Sequence, residues 1–267
     1  MDRPAIGLRW TVGDVSPRGF RALRLALWGA RRVFGPGAAL AVVVNSLPPE
    51  EALRRTGPVP GGVHWRAAGA MPRRLAAHLD AGMAEGVAWK LAPPRLFPDR
   101  WEIAFDNDCV LWDMPPSIAS WLAADDRAAC LLEEDVERAH GAFDDLCGPL
   151  SLNTGIRGFP PGFDVEAALG AILDVRPVPL RGELDEQGLQ VAALQRARPP
   201  AVVTVAEVSI CAPFWPKTPT LGTHGAHFVG LNARSLPWDW YGRPASDCQN
   251  DSFDRWEPEI ARRVGLP

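Results

Sequence analysis

Lysine is nearly missing from this 267-residue sequence, in which Lys90 and Lys217 are the only lysines among 28 basic residues. The skew fits an arginine-favouring codon supply and by itself says nothing about function. The 32 acidic residues leave a formal net charge of -4, so the chain lacks the positive excess with which proteins bind nucleic acid. We therefore expect no nucleic-acid partner.

Paired cysteines and long apolar runs are missing as well. The five cysteines are odd in number and never form a Cys-x-x-Cys pair, which argues against a zinc site and a disulfide framework. This usage favours a reducing, cytoplasmic location. The longest apolar run covers only 38–44 and the N-terminus has no signal-peptide pattern, so we expect no transmembrane segment and at most peripheral contact with a membrane.

Four common catalytic and nucleotide-binding motifs are also missing. The turn after the first predicted strand is not a Gly-x-Gly-x-x-Gly fingerprint, and the glycine-rich stretch at 35–40 comes only after the following helix. The chain contains no P-loop, no Gly-x-Ser-x-Gly elbow and no His-Glu-x-x-His helix. These absences exclude the commonest routes to dinucleotide binding, NTP hydrolysis, serine catalysis and zinc proteolysis. Phosphate binding would then have to use a metal.

What the sequence does contain is the composition of a globular protein, with 47% apolar and 22% charged residues. Apolar, β-branched runs alternate with helical patterns, which is typical of an α/β domain with a central, mostly parallel sheet flanked by helices. We predict a single domain over 1–267. The predicted strands cover 5–12, 39–45, 63–67, 101–108, 128–133 and 202–208. The predicted helices cover 18–34, 49–55, 72–85, 115–123, 164–173, 185–196 and 254–264.

The segment 209–267 has a different character, because proline, glycine, histidine and tryptophan crowd together and periodicity returns only in the last helix. Trp215, Trp238 and Trp240 give it too much aromatic surface for a free linker. We expect the segment to be irregular and to wrap over the α/β body. Its tryptophans are interpreted as core residues or, alternatively, as flat apolar surfaces for a ligand.

Two carboxylates follow the apolar strand at 103–105. Asp106 and Asp108, with Asn107 between them, occupy the carboxyl end of that strand, where open α/β sheets bind their ligands. Carboxylate oxygens suit a hard divalent cation such as Mg²⁺ or Mn²⁺. An Asx-rich turn explains the same triplet without a ligand, and both interpretations remain open.

A histidine extends the candidate metal site. His227 lies in the stretch Gly-Ala-His-Phe-Val-Gly, and a neutral imidazole beside two carboxylates favours Mn²⁺ over Mg²⁺. His224 competes for the same role, and a lone histidine is also common as an ordinary hydrogen-bonding residue. Asp106, Asp108 and His227 form the predicted metal shell.

The order of five short motifs resembles that of nucleotide-sugar glycosyltransferases of the GT-A fold, in particular the retaining family 8. The motifs are Asp-Asn-Asp (106–108), Leu-Asn-Thr-Gly (152–155), Asp-Glu-Gln (185–187), His-Phe-Val-Gly (227–230) and Leu-Pro-Trp (236–238). The resemblance spans about 5–240. It implies a GT-A-like domain with a C-terminal segment wrapped over it, a metal held by the aspartates and the histidine, and a nucleotide-sugar donor.

The resemblance also assigns the remaining site residues. The base of the nucleotide is expected at the end of the first strand, and the sugar next to the Asn-x-Gly motif. The acidic segment is expected to face the donor sugar and the acceptor. The donor-binding set is Trp10, Thr11, Val12, Lys90, Asp106, Asn107, Asn153, Gly155, Gly230 and Arg234. The catalytic set is Asp185, Glu186 and Gln187.

Several residues depart from the family pattern or have simpler explanations. Family 8 enzymes usually carry a diphosphate-binding lysine six residues after the histidine, where this chain has Ala233 followed by Arg234. Either Arg234 takes over this role or the loop has a different register. Asp185 precedes an apolar helical pattern and would serve as a helix N-cap. The charged run at 132–137 is interpreted as a solvated rim, and Cys109 as a small buried apolar residue.

These observations predict a metal-dependent glycosyltransferase that moves a hexose from a nucleoside-diphosphate sugar, a UDP-sugar in the first place, to a carbohydrate or other hydroxyl acceptor. If the family pattern holds, the anomeric configuration is retained. Two alternatives remain open: a sugar-phosphate nucleotidyltransferase, and a non-catalytic protein that binds nucleotides or carbohydrates on the same fold.

Overall fold

The computed structural model describes residues 4–80, 89–232 and 236–266. Its strands are β1 (Ile6–Val12), β2 (Ala39–Val44), β3 (Val63–Ala67), β4 (Trp101–Phe105), β5 (Cys109–Leu111), β6 (Leu131–Glu134), β7 (Leu152–Phe159), β8 (Ala201–Val203), β9 (Val208–Ile210), β10 (Gly225–His227), β11 (Asp239–Trp240) and β12 (Arg243–Pro244). Its helices are α1 (Pro17–Phe34), α2 (Pro49–Thr56), α3 (Arg73–Ala76), α4 (Pro116–Ala124), α5 (Val165–Val175), α6 (Glu183–Gln195) and α7 (Ala245–Val264). Short 3-10 helices cover Trp89–Leu91 and Gly141–Leu146.

Seven strands form the main sheet, in the order β3-β2-β1-β4-β7-β6-β8. All neighbours are parallel except where β7 pairs antiparallel with both β4 and β6. The predicted α/β class with a mostly parallel sheet is therefore confirmed. A second sheet has the strand order β5-β10-β9. Strand β5 follows β4 directly in the chain, and β9 and β10 come from the C-terminal part of the sequence.

The main sheet separates two hydrophobic cores. Alternate residues of one strand enter opposite cores: Ile103 and Phe105 pack with α1 and α7, whereas Ala104 packs with α5 and α6. Because helices cover both faces, β2 is an unbroken apolar run, and β4 is apolar and fully buried apart from Glu102, which is buried as well. This double coverage explains why the strands of the first half are visible in the sequence.

The structure corrects several element boundaries. The predicted helix at 72–85 is the single turn α3, and its part from residue 81 onward lies outside the described residues. The predicted strand at 202–208 is two strands in different sheets, β8 and β9. Strand β7 was not predicted at all, because two glycines and the polar Asn153 and Arg157 interrupt its apolar pattern.

The C-terminal segment is more regular than expected. Helix α7 starts at Ala245, nine residues before the predicted start. The early start was not predicted because the first turns of the helix bury a polar side chain at a position where the helical pattern requires an apolar one. This residue, Gln249, is fully buried and donates from Nε2 to the carbonyls of Cys211 (3.1 Å) and Val229 (2.8 Å). None of the helices in the described ranges is long and apolar enough to cross a membrane.

Candidate metal and donor site

Asp106 and Asp108 lie in the turn that joins β4 to β5. The carbonyl of Asp106 accepts from the Cys109 amide (3.1 Å), which closes the turn, and the Asp106 amide donates to Gly155 on the neighbouring strand β7 (2.8 Å). The triplet is therefore a turn, as the Asx-turn interpretation predicted. The same turn places both carboxylates at the carboxyl end of β4, which the metal-site interpretation requires.

His227 reaches the same place from the second sheet. Strand β10 runs antiparallel to β5 with His227 opposite Cys109, and the next amide, that of Phe228, donates to the carbonyl of Asp108 (3.0 Å). One ligand atom each from Asp106, Asp108 and His227 lies within 4.8 Å of the others. His224 is not in this cluster; its ring Nδ1 lies 2.7 Å from the hydroxyl of Thr223. Of the two histidines, His227 is therefore the one that lies beside both aspartates.

A buried glutamate orients the imidazole. Glu133 on β6 is fully buried, and its Oε2 lies 2.8 Å from His227 Nδ1, so Nε2 is left facing Asp108. A carboxylate that holds the second ring nitrogen is the usual support of a metal-binding histidine. The expectation that 132–137 is a solvated rim is therefore wrong at Glu133, whose carboxylate is completely buried. A buried carboxylate needs a partner in the interior, and here that partner is His227.

The charges of this group shift one another. Burial alone would lower the pKa of His227, but the adjacent Glu133 and the two aspartates raise it to about 10. Burial raises the pKa of Asp108 to about 6, although the imidazolium opposes the shift. Without a bound cation, His227 therefore carries the positive charge that balances these carboxylates at neutral pH.

Asn232 positions the second aspartate. Its Nδ2 donates to Asp108 Oδ2 (2.9 Å) and to the side-chain oxygen of Asn107 (3.0 Å). Asn107 returns a bond from its own Nδ2 to Asn232 (3.1 Å) and donates to the carbonyl of Gly19 (3.1 Å). The bond to Oδ2 leaves the other oxygen of Asp108, Oδ1, facing His227 Nε2 at 3.6 Å.

Gly155 makes room for the imidazole. A Cβ at this position would lie 2.2 Å from His227 Cε1 and 2.5 Å from Glu133 Oε2, far inside van der Waals contact. Its neighbour Asn153 accepts from the Gly155 amide (2.7 Å) and donates to Asp135 (2.7 Å). The Asn-x-Gly motif thus has a role next to the histidine in addition to the sugar-binding role that the resemblance implies.

Two cations flank Asp106. Lys90 Nζ lies 2.6 Å from Asp106 Oδ2, and Arg157 Nη2 lies 3.8 Å from Oδ1. Burial alone would raise the pKa of Asp106, but Lys90 and Arg157 hold it below its usual value. Asp106 therefore stays ionised, and Lys90, a member of the predicted donor-binding set, lies next to it.

Of the acidic segment 185–187, Glu186 is the residue that contacts the charged group around Asp106. It is buried on the first turn of α6, and its Oε1 lies 3.6 Å from Arg157 Nη1, which also donates to Gln190 (2.9 Å). Burial raises the pKa of Glu186, against the opposing effect of Lys90 and Arg157.

The other two residues of the segment bind backbone. Asp185 accepts from the amides of Ala142 (2.8 Å) and Arg181 (2.9 Å), and Gln187 donates to the carbonyl of Ala139 (2.8 Å). Asp185 is not the N-cap, since α6 starts at Glu183 after Gly182. Catalytic roles for Asp185 and Gln187 stay predictions, and the structure brings Glu186 rather than these two to Arg157 and Asp106.

The remaining predicted residues surround the cluster at different depths. Trp10 and Val12 belong to the hydrophobic core, where Trp10 stacks on Phe105 with ring centroids 5.6 Å apart, whereas Thr11 is half-buried. The side chains of Trp10 and Val12 are therefore committed to packing, and a nucleotide could meet them only through backbone. Gly230 has φ +85°, a left-handed turn after β10. Arg234 and Ala233 lie outside the described residues.

Three residues of this site were not predicted from the sequence: Glu133, Asn232 and Arg157. Each is polar and buried or half-buried, and each contacts a predicted ligand from a distant part of the chain. The isolated arginine within an otherwise strand-like stretch could have drawn attention to Arg157, since a buried charge requires partners.

The donor set fits a divalent cation. Two carboxylates and one imidazole supply oxygen and nitrogen ligands, and Glu133 and Asn232 hold two of these three in place. The mixed set suits Mn²⁺ and, through its oxygens, Mg²⁺.

Solved glycosyltransferase structures share this fold. The chain resembles galactosyltransferase LgtC, solved in complex with donor and acceptor sugar analogues, with a TM-score of 0.56 and 13% identity over 97% of this chain and 95% of that one. An active-site mutant of LgtC gives a TM-score of 0.54 and 13% identity, covering 96% of this chain and 95% of the other. Mouse xyloside xylosyltransferase 1 in its apo form gives 0.51 and 12%, covering 79% and 89%.

No protein-family model matches the chain, and no curated protein matches it in sequence. At 12–13% identity the structural likeness establishes the fold. The chain therefore has the GT-A-like fold that the order of its motifs implied.

Proposed function

We propose that this protein is a metal-dependent glycosyltransferase that transfers a hexose from a nucleoside-diphosphate sugar, a UDP-sugar in the first place, to a hydroxyl group of a carbohydrate or other acceptor. The observation that carries the proposal is the cluster of Asp106, Asp108 and His227 at the carboxyl end of β4, on a fold shared with sugar-transferring enzymes. A cytoplasmic location remains a prediction from the sequence.

Asp106, Asp108 and His227 would hold the cation, Mn²⁺ or Mg²⁺, which when bound offsets the negative charge that develops on a diphosphate leaving group. Glu133 fixes the ring orientation of His227, and Asn232 fixes Asp108. Both act before the donor arrives, so little reorganisation is left for the reaction itself.

Lys90 and Arg157 complete the charge balance on the protein side. The side chain of Lys90 is 19% exposed next to Asp106, so its ammonium can turn toward a phosphate oxygen without leaving the site. In this role Lys90 stands in for the lysine that family 8 carries after the histidine. Arg157 is buried and keeps its contacts with Asp106 and Glu186.

Glu186 is the carboxylate that we place nearest to the sugar. In its ionised form, which Lys90 and Arg157 favour, it would stabilise the positive charge that develops at the anomeric carbon as the bond to the diphosphate breaks. Arg157 and Gln190 hold the side chain in one position, which such a role requires. Retention of configuration is part of the proposal on the strength of the motif resemblance.

The test is turnover of a panel of UDP-hexoses with Mn²⁺ in the presence of mixed hydroxyl acceptors, measured as UDP release. We expect release by the wild type, its loss in Asp108→Ala, and normal release in the matched control Asp99→Ala, which removes an exposed carboxylate. Pyrophosphate formation from UTP and a hexose phosphate would instead identify a nucleotidyltransferase. Tight UDP binding with no turnover of any UDP-sugar would identify a binding protein.

A further inference from the structure

Two opposite charges lie buried in the main sheet, outside the site described above. Arg9 on β1 and Glu102 on β4 are only 2% and 0% exposed, and Arg9 Nε lies 3.2 Å from Glu102 Oε1. Each interrupts a run of buried apolar residues. Well-packed apolar side chains of similar volume often stabilise a protein as much as a buried ion pair does. The pair therefore requires an explanation other than the stability of the sheet.

The pair lies on the same face of the sheet as Arg157. Arg9 is opposite Ala104 in the register of β1 with β4, and Ala104 is opposite Arg157 in the register of β4 with β7. Residues that lie opposite each other in neighbouring strands point to one face of a sheet, and so do alternate residues of a strand, which adds Glu102. Since Arg157 forms an ion pair with Asp106, this face leads directly to the predicted metal site.

Arg9 binds the backbone of a segment that follows Lys90 closely. Its Nη1 donates to the carbonyl of Pro93 and its Nη2 to that of Pro94 (3.2 Å). The planar guanidinium suits this double contact, because its donors stand in a fixed fork. The 3-10 turn that contains Lys90 ends at Leu91, which is buried in the core formed with α5 and α6. Arg9 thus holds the chain just beyond this turn.

Glu102 binds the other end of the same segment. Its carboxylate accepts from the amides of Leu96 (2.9 Å) and Phe97 (2.5 Å). The ring of Phe97 also lies against Gly7 of β1, where a Cβ would be 2.3 Å from the ring atom Cδ2. Residues 93–97 are therefore fixed to both β1 and β4.

This attachment bears on the position of the Lys90 ammonium, which lies 2.6 Å from Asp106 Oδ2. A lysine ammonium is carried on a flexible stem, so it keeps one position only where its backbone and its partner are both held. Asp106 is held by the turn after β4. Arg9 and Glu102 hold the backbone that follows Lys90.

We infer that Arg9 and Glu102 are positioning residues for Lys90. Through residues 93–97 they keep its ammonium beside Asp106, where a donor diphosphate would bind. The role of Lys90 toward a diphosphate belongs to the proposed function, on which this inference rests, whereas the placement of the ammonium by the buried pair can be tested without a donor.

The chain has only two lysines, which makes the position of Lys90 measurable. The side chains of Lys90 and Lys217 are equally exposed and each is paired with a carboxylate, so Lys217 is an internal control. Brief acetylation with isotope-labelled acetic anhydride, followed by mass spectrometry of peptides, gives a rate for each. In Glu102→Gln, which removes the charge and keeps the size, we expect Lys90 to react roughly tenfold faster and Lys217 at its wild-type rate, because the lost hydrogen bonds ease local opening.

A second variant leaves every charge in place. Gly7→Ala forces the ring of Phe97 away from β1 and is expected to raise the acetylation rate of Lys90 as well, whereas Gly69→Ala, where a Cβ meets no atom within 4 Å, should not. Circular dichroism checks the fold of each variant, and Gly7→Ala carries the test if Glu102→Gln does not fold. A wild-type rate at Lys90 in the folded variants, or an equal rise at both lysines, would overturn the inference.

UDP affinity in the presence of Mn²⁺ then tests whether the pair acts through Lys90. Lys90→Ala and Glu102→Gln are each expected to weaken binding roughly tenfold, and the double variant to bind no more weakly than Lys90→Ala alone. Losses that add up in the double variant would mean that Glu102 acts by another route, and would refute its positioning role. If the wild type binds no UDP, the proposed function fails, and the acetylation rates still decide what places Lys90.

Discussion

Single residues at this site depend on their neighbours as much as on their own chemistry. The three predicted ligands could hold a cation only because Glu133 orients His227, Asn232 orients Asp108, and Gly155 leaves room for the imidazole. The two supporting side chains come from β6 and from the loop after β10.

The first prediction concerns Gly155. In Gly155→Ala the new methyl group would overlap the ring of His227 and the carboxylate of Glu133, so both must move away from the cluster. We expect at least a tenfold loss of Mn²⁺ affinity, measured by electron paramagnetic resonance of free Mn²⁺, since displacing such supports costs about 10- to 100-fold.

The matched control is Gly37→Ala, where a Cβ meets no atom within 4 Å. Circular dichroism should show both variants folded. Equal Mn²⁺ affinity in the two would show that the position of His227 does not determine metal binding.

The second prediction concerns protons. Without metal, the pKa of His227 is raised to about 10, so at pH 7.5 the ring carries a proton on Nε2 that must leave before this nitrogen can bind a cation. We expect about one proton released per Mn²⁺ bound, and an affinity that rises roughly tenfold per pH unit between pH 7 and 9.

Isothermal titration calorimetry in phosphate and in Tris at pH 7.5 measures this release from the difference in heat, because the two buffers take up protons with different enthalpies. Binding that releases no proton would contradict the assignment of His227 as a ligand.

The three predicted ligands have local sequence signals, whereas the side chains that hold them have none. Asp106, Asp108 and His227 stand in short motifs whose neighbours in the chain suggest a strand end or a tight backbone. Glu133 resembles a surface residue in sequence, because its partner lies 94 positions away. Such long-range pairs leave no local pattern.

The secondary-structure elements also differ in how well the local sequence predicts them. Those that bury only apolar side chains, such as β2 and α1, have the predicted boundaries within one or two residues. Two elements that place polar groups in the interior do not: β7 contributes Asn153 and Arg157 to the site, and α7 buries Gln249. In both, the buried polar residue interrupts the apolar pattern from which the element would be predicted.

The third prediction tests whether α7 belongs to the core. Phe253 is fully buried and packs edge-on against Phe228, next to His227, with ring centroids 5.2 Å apart. Phe253→Ala is expected to lower the free energy of unfolding by about 3–5 kcal/mol in urea denaturation, because it leaves a cavity. Arg255→Ala, an exposed residue of the same helix, should change it by about 0.5 kcal/mol or less.

A single shifted transition in Phe253→Ala would support the prediction of one domain over 1–267. A separate early transition of the C-terminal segment, with the main transition unchanged, would show that α7 only rests on the body.

At the scale of the whole molecule, the fold class could be predicted because alternating strands and helices have few arrangements. The antiparallel insertion of β7 and the second sheet could not, since pairing partners are set by contacts between distant segments. These two features bring Gly155 and His227 to the end of β4. The site is thus assembled by the least predictable part of the topology.

Calorimetric titration of UDP, with and without Mn²⁺, decides whether a cation at this cluster joins the donor to the protein. We expect binding by the wild type that strengthens at least tenfold with Mn²⁺, and no such gain in Asp108→Ala, because a cation held by Asp108 and His227 would join the diphosphate to the protein. UDP binding that is independent of Mn²⁺, or a full Mn²⁺ effect in Asp108→Ala, would contradict it.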